Sequence, residues 1–401
     1  MKTDILIAHP GKHHVLQLVS GCIKSGVDVK FITPFYNKGI SNLFTFIPGS
    51  IGKKAKGYKN SRIPKNCIES PIIMLLSKII LYLYSEKAFL IRFDNYVAKK
   101  ILQGRYQGKI FVSLQDYMPS SVKAARKKGM LIWSDQILNQ SDDSQKRLKN
   151  HINKYSRILG SYTHDEAINS EILIASDIVT FPSMYTYEGI KDRVRSNCKL
   201  IKIPYGADSK RFKGSEKLNN NEITILVRAP SIRKGGHLFL LALEKIYPKL
   251  IDAIDNRKIK FIIIGQLENE LERLLKKIKF QSQITVTHGN IPHSEIDKLY
   301  NVASFFIMPS LSEGSSLACI EAMHAGLPLL ITNYCGIDSF VSGEMGYIVE
   351  DNLESIELSL INIFNNFSKW QHWGENTKRL GSTLTWENYE ERICSLTRNS
   401  L

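Results

Sequence analysis

Residues 305–331, FFIMPSLSEGSSLACIEAMHAGLPLLI, read as strand, loop, helix, turn and strand, in that order. Phe305-Phe306-Ile307-Met308 and Leu327-Pro328-Leu329-Leu330-Ile331 are apolar runs of the length expected for strands buried on both faces. Between them, Ser312, Gly314, Ser315 and Ser316 supply cap residues and room for close backbone approach. A helix is expected over residues 316–325, closed by Gly326 and Pro328. Strand, helix and strand in this order form the unit of a parallel sheet. The stretch also carries two carboxylates, Glu313 ahead of the helix and Glu321 inside it.

Outward from this stretch the pattern repeats. Apolar, β-rich runs stand at residues 4–8, 27–33, 109–113, 131–133 and 178–181. Further runs follow at 223–227, 260–264, 284–287, 305–308, 329–331 and 346–349. Helical patterns separate most of them, including 268–279 and 294–302. These strands are too many for one open sheet, and the polar segment 210–221, with a plausible linker at 218–221, divides them. The expectation is an α/β chain of two doubly wound domains, 1–209 and 210–375, with 376–401 as a helix crossing back to the first. Ligands of paired doubly wound domains sit beyond the carboxyl ends of the strands, here the cleft between the halves. Three loops meet there: 8–14 (AHPGKHH), 228–236 and 309–316.

A chain of 401 residues can hold two full cores, and 43% hydrophobic with 23% charged residues is the balance of a soluble globular protein. The longest apolar stretch, 71–84, contains Lys78 and is too short to span a bilayer. An acid, Asp4, stands where a signal peptide would be basic, so a cytoplasmic chain is expected. The six cysteines are scattered without a C-x-x-C, which suggests neither a disulfide framework nor a zinc site. The net charge of +16 is the extreme number. No acid stands between Asp28 and Glu69, where Lys53, Lys54, Lys56, Lys59, Arg62 and Lys65 crowd together. Such a run suits nucleic acid, an anionic membrane or phosphorylated substrates, or is a solvated loop. It lacks the interleaved aromatics of a stacking surface, with only Tyr58 nearby, so no nucleic acid partner is expected.

The start of a helix presents backbone N–H groups and a partial positive charge, a site for phosphate. Glu313, just ahead of it, would accept hydrogen bonds from hydroxyls beside that phosphate, and Glu321 reaches toward a second polyol. Together they suggest a ligand with a sugar on each side of a diphosphate. Taken alone, the stretch fits a capping acid and a surface acid equally well. Arg228 and Lys234 add to it: in ILVRAPSIRKGGHLFLLALEKI (225–246) both follow a strand, and Arg233-Lys234-Gly235-Gly236 leads into a helix whose Phe239, Ala242, Leu243 and Ile246 share one face. Cations there would neutralise a diphosphate leaving group, arginine as a planar fork and lysine as a point charge.

These residues resemble a known family. The second half is similar to the retaining glycosyltransferases of the GT-B fold, specifically the large family 4 (group 1). The family's glutamate, seven residues and glutamate match Glu313 and Glu321 within MPSLSEGSSLACIEAMHAGLPLLIT (308–332). Its arginine and lysine match Arg228 and Lys234. IPYGADSKRF (203–212) resembles its interdomain phrase, with Tyr205 where asparagine is commoner; IPHSEIDKLYNVASFFIMPS (291–310) and TWENYEERI (385–393) also fit. The likeness covers residues 200–390; before that only Gly11 and EILIASDIVTFPS (171–183) match in outline. One departure stands out. The family often carries a histidine ending a strand in the middle of the first domain, where LIWSDQ (131–136) offers Ser134 and Asp135. His13, His14 and His164 are the candidate substitutes, although a lone histidine is more often structural.

The resemblance implies two Rossmann-like domains facing each other across a cleft. It implies transfer of a sugar, with retention, from a nucleotide diphosphate donor to an acceptor hydroxyl through an oxocarbenium-like state. Arg228, Lys234 and the helix start at Gly314, Ser315 and Ser316 would hold the developing diphosphate charge. Glu313 would contact the donor sugar, Glu321 the nucleotide ribose, and Gly11 the donor from the facing domain. No cofactor and no metal are implied: the cations and helix take the metal's place, no D-x-D ends a strand, and Asp142-Asp143 lies in a polar run. The acceptor is expected to be a glycan or lipid-linked glycan of bacterial surface polysaccharide, O-antigen or capsule. The basic run and the apolar stretch 72–84 lie in the acceptor-holding half and suggest an anionic membrane, at the inner face of the plasma membrane. A GT-B-shaped epimerase or phosphorylase shares the architecture, though no pyridoxal lysine is recognised. A basic nucleic-acid-binding protein is the non-enzyme alternative, favoured by charge alone.

Overall fold

The computed structural model describes residues 3–11, 14–34, 63–71, 74, 86–139, 141–159, 171–214, 222–253, 257–278, 284–292 and 295–401. His13, His164, the basic residues 53–62, the linker 218–221 and the apolar stretch 72–84, apart from Met74, lie outside them.

Among the described residues two parallel sheets form, as the strand spacing predicts. The first has seven strands: β1 (Thr3–Ala8), β2 (Val29–Ile32), β3 (Ile68–Glu69), β4 (Gly108–Leu114), β5 (Leu131–Asp135), β6 (Ile178–Phe181) and β7 (Lys199–Lys202). They lie in the order β3-β2-β1-β4-β5-β6-β7. The second has six: β8 (Glu222–Val227), β9 (Lys258–Ile264), β10 (Ile284–Gly289), β11 (Phe305–Met308), β12 (Leu329–Thr332) and β13 (Gly346–Val349). Their order is β10-β9-β8-β11-β12-β13. Every strand pairing within the two sheets is parallel, so each is a doubly wound Rossmann-like layer covered on both faces. That covering explains the unbroken apolar runs: β6, β11 and β12 are buried along their whole length. Two strands have no counterpart among the sequence-derived runs. β3 is only two residues long. β7 is an edge strand, Lys-Leu-Ile-Lys, with a lysine exposed at each end, a composition that protects an edge and hides it from a hydrophobic scan.

The chain passes between the halves twice at one place. Residues 203–207 leave the first sheet, and Ala207 pairs with Thr385 on the return. A Cβ on Gly206 would overlap the Thr385 backbone, so only glycine lets the two crossings touch. The helix Trp386–Ser400, capped by Thr385, then packs on the helix Val15–Lys24 of the first half. Its Tyr389, Ile393 and Thr397 are buried. A Cβ on Gly21 would lie 2.7 Å from the Ile393 Cβ, and Lys24 pairs with Glu390.

A second exchange runs the other way. Between β5 and β6 lie the helices Asp142–Lys154, capped by Ser141, and Ser156–Leu159. Leu148, Tyr155 and Leu159 of this excursion are buried in the core of the second half, with Phe239, Leu271 and Leu311. Each half thus carries a helix that packs on the other. Among the described residues no helix is long and apolar enough to cross a membrane.

Candidate functional site

The loop between β11 and the helix Leu317–His324 stands at the carboxyl edge of the second sheet. It is fixed before any ligand is considered. Ser316 caps the helix, its hydroxyl accepting from the Cys319 N–H at 3.3 Å. The Ser316 N–H itself donates to the Cys335 carbonyl at 2.9 Å, so it is already committed. Glu313 donates its N–H to the Tyr334 carbonyl at 3.0 Å. Gly314 faces the first half: a Cβ there would overlap the Ile137 carbonyl oxygen. The Gly314 carbonyl accepts from the hydroxyls of Ser183 and, at 3.1 Å, Thr186. Gly314 therefore serves contact between the halves. Ser315 lines a cavity of about 220 Å³ between the halves with Lys202, Asp338, Asn388 and Arg392.

Glu313 is buried and paired twice, with Arg233 Nη1 at 3.0 Å and Lys234 Nζ at 3.1 Å. Burial alone would raise its carboxyl, but the charges of Lys234 and Arg233 outweigh that and hold it below the usual glutamate range. Arg233 also donates to the Ser312 carbonyl. The sequence reading passed over Arg233, quoting it only as part of a run. The structure makes it the neighbour of Glu313, while Arg228 turns elsewhere, donating to the Ile264 carbonyl at 2.6 Å. Lys234 is held at the turn by Gly235, whose φ is 75° and where a Cβ would overlap the Pro309 carbonyl oxygen.

Glu321 sits one helix turn beyond the cap, within reach of Tyr300, Arg228 and Arg211. Burial pushes its carboxyl up to about 7, against the opposing pull of a hydrogen bond from Tyr300 and the charges of Arg228 and Arg211. The folded protein therefore keeps this proton to about pH 7, whereas the unfolded chain releases it near the ordinary glutamate value. Between those limits the folded state binds more protons, so stability falls as pH rises and levels off above 7. Ionised Glu321 costs folding on the order of 3 kcal/mol. Glu321→Gln should then melt progressively higher than the parent as pH goes from about 5 to about 8, read from melting curves. A melting difference flat with pH would count against it.

In the first half the structure joins two residues that the sequence proposed separately. His14 Nε2 lies 2.5 Å from Asp135 Oδ2, and both are almost fully buried. Thr180 donates to the other carboxylate oxygen at 2.5 Å. The Tyr205 ring lies 4.3 Å from that of His14, and Tyr389 closes the edge at 5.7 Å. The two departures from the family phrases, Asp135 for histidine and Tyr205 for asparagine, thus meet at one imidazole. Gly11 lies half-buried in the loop that leads to it.

The helix Asp142–Lys154 closes over the Glu313 loop from outside. Its His151 Nε2 is 3.3 Å from Asp351 Oδ2, and its Nδ1 is 3.4 Å from Nε2 of His237. Hydrogen bonding to His151, then the His151 and Arg147 charges, hold the Asp351 carboxyl below its usual range against the effect of burial. Burial, with His151 alongside, pushes His237 down to about 3, so it stays neutral.

Residues 208–380 match the family described as glycosyl transferases group 1. An uncharacterised glycosyltransferase of Methanocaldococcus jannaschii is 28% identical over 187 residues, 43% of this chain and 52% of that protein. The chain thus spans about half the length of this relative. Over 99% of the chain and 98% of the other, the fold matches sucrose-phosphate synthase from Thermosynechococcus elongatus with a TM-score of 0.67 at 16% identity. The Anabaena protein HepE, solved in complex with UDP and glucose, covers and is covered completely with a TM-score of 0.63 at 13% identity.

Proposed function

The C-terminal half of this chain belongs to the glycosyl transferases group 1, and from that premise we propose that the protein transfers a sugar from a nucleoside diphosphate donor to an acceptor hydroxyl, with retention. The observation that carries the reading is the buried, ionised Glu313 held between Arg233 and Lys234 beside a helix start. A carboxylate kept charged in a buried site is an acceptor for sugar hydroxyls, and its two cations leave donors over for a neighbouring phosphate. Arg228, Lys234 and the N–H groups of the helix Leu317–His324 take up charge as the diphosphate leaves. Glu321, beside Arg228, receives the ribose hydroxyls. The solved relative bound to UDP and glucose supports a nucleotide-sugar donor.

The test is a panel of UDP- and GDP-sugars followed by melting shift and by release of nucleoside diphosphate. One donor should stabilise the protein by about 2.7 kcal/mol at a hundredfold excess over its Kd. Release of diphosphate should persist in excess EDTA, because Arg228, Lys234 and the helix meet the leaving charge without a metal. No stabilisation by any member of the panel would overturn the donor reading. Loss of release in EDTA, restored by magnesium or manganese, would overturn metal independence. Conversion of the donor sugar without an acceptor would favour an epimerase.

The acceptor in this reading is a lipid-linked glycan of bacterial surface polysaccharide, met at an anionic inner membrane surface. The support is compositional: the +16 charge and the acid-free run between Asp28 and Glu69. Each basic residue near such a surface contributes about 1 kcal/mol. Co-sedimentation with phosphatidylserine-containing vesicles should appear at low salt and fade as salt rises. Indifference to anionic lipid at low salt would remove the membrane and leave the transferase.

A further inference from the structure

The helix Asp142–Lys154 belongs to the first half by connection and to the second by packing, and its inner face lies on the loop that carries Glu313. Ser144 donates its hydroxyl to that of Ser312 at 2.8 Å. Arg147 Nη1 donates to the Leu311 carbonyl at 3.4 Å and the Tyr185 hydroxyl at 3.1 Å. Its Nε lies 3.5 Å from Asp351 Oδ2. The guanidinium carbon lies 3.6 Å from the centroid of the Tyr334 ring, at stacking distance. None of these partners is a carboxylate or cation assigned to the donor. Three of them adjoin Glu313 directly: Leu311 and Ser312 precede it in the chain, and the Tyr334 carbonyl accepts its N–H.

We propose that Arg147 is a positioning residue, through which the N-terminal half sets the place of Glu313 in the C-terminal half. The inference rests on the reading of Glu313 as the donor-sugar contact. The planar fork is what the role requires, since one side chain must reach a carbonyl, a phenol and a carboxylate while its guanidinium sits over a ring. A lysine offers charge to Asp351 but neither the fork nor the plane. Because Leu148 and Tyr155 anchor the same helix in the second core, Arg147 is a fixed part of the cleft wall rather than a loosely hung side chain. Turnover, which depends on Glu313 within fractions of an ångström, should feel its loss more than donor affinity does.

The experiment compares the full-length parent with Arg147→Ala, Arg147→Lys and the milder Ser144→Ala. It measures kcat and KM for the donor that the parent uses, UDP and GDP binding, and amide hydrogen exchange of the peptide spanning 311–316. Expected for Arg147→Ala is a kcat lower by roughly tenfold or more with KM within about threefold, the signature of an interaction felt mainly in the transition state. Exchange over 311–316 should quicken, Arg147→Lys should not restore kcat, and Ser144→Ala should shift both readouts in the same direction by less. A lower melting temperature with kcat and exchange unchanged would overturn the proposal. So would full rescue by lysine, or a rise in KM with exchange unaltered. If the parent turns over no donor, the transferase reading fails by itself. The exchange of 311–316 then decides whether Arg147 holds that loop.

Discussion

Lys234→Ala should lower turnover a hundredfold or more, the scale of losing one strong transition-state donor. Two losses combine. The side chain is only 17% exposed and its ammonium lies 3.1 Å from Glu313 Oε1, so it acts in a partly desolvated site where a point charge counts for more than in water. Its removal also leaves Glu313 with Arg233 as the remaining paired cation, and the carboxyl rises toward its ordinary range or above it. A protonated Glu313 offers the sugar a weaker acceptor, so the variant should lose more activity at low pH than at high. Arg228→Ala should also lower turnover, but its pH dependence should come through Glu321, whose carboxyl the Arg228 charge pulls down, and not through Glu313, because Arg228 is tied to the Ile264 carbonyl. Single-turnover kinetics across pH measures both, with melting curves to show that the fold is intact. Near-normal turnover in either variant would remove that residue from the leaving-group clamp.

Gly314→Ala should be nearly as damaging, for a reason that has nothing to do with charge. Its backbone does not adopt the left-handed conformation, so alanine is allowed there as far as φ is concerned. The obstacle is the Ile137 carbonyl oxygen of the other half, which a Cβ would overlap. A flexible side chain can swing aside, but a backbone carbonyl cannot, and this one is fixed further by Gln115, whose Oε1 accepts the Ile137 N–H at 2.7 Å. Gln115 itself is held in the left-handed region, with φ 46°. The halves must therefore part to admit one methyl group, which breaks the Ser183 and Thr186 bonds to the Gly314 carbonyl. We expect turnover to drop by about two orders of magnitude, the scale of a small misplacement of reacting groups. Small-angle scattering should show a larger radius of gyration while circular dichroism stays that of the parent. Parental scattering together with parental turnover would show that this contact is dispensable.

The sheets were legible because both faces of each are covered, so that strands such as β6, β11 and β12 leave apolar runs in the sequence. The edge strand β7, half lysine, left none. Glu313, Glu321, Arg228 and Lys234 were singled out by their places after strand ends, which is a local property. Arg233 was missed for the opposite reason: in a run of two cations nothing local says which one turns toward Glu313. The excursion 142–159 was least legible. Ser144, Arg147, Leu148, His151 and Tyr155 do follow helical spacing, but its acids, lysines and arginine are those of any wet surface helix. Only the fold shows that its inner face lies on the opposite domain. Likewise Asp135 and His14 are far apart in sequence, and their pairing depends on the loop after β1 reaching the end of β5.

The return of the helix Trp386–Ser400 to the first half bears on how the protein is made. Its Tyr389 and Ile393 share a core with Val15, Leu18 and Val19, so the helix Val15–Lys24 lacks its covering until residues 389–393 have emerged from the ribosome. At about 5–20 residues per second, that leaves the face around Gly21 uncovered for tens of seconds. The second half, whose strands β8–β13 are all contiguous, can finish before the first. Assembly therefore runs against the direction of synthesis, and during that interval the exposed groove on Val15–Lys24 is the part of the nascent chain that a chaperone would find.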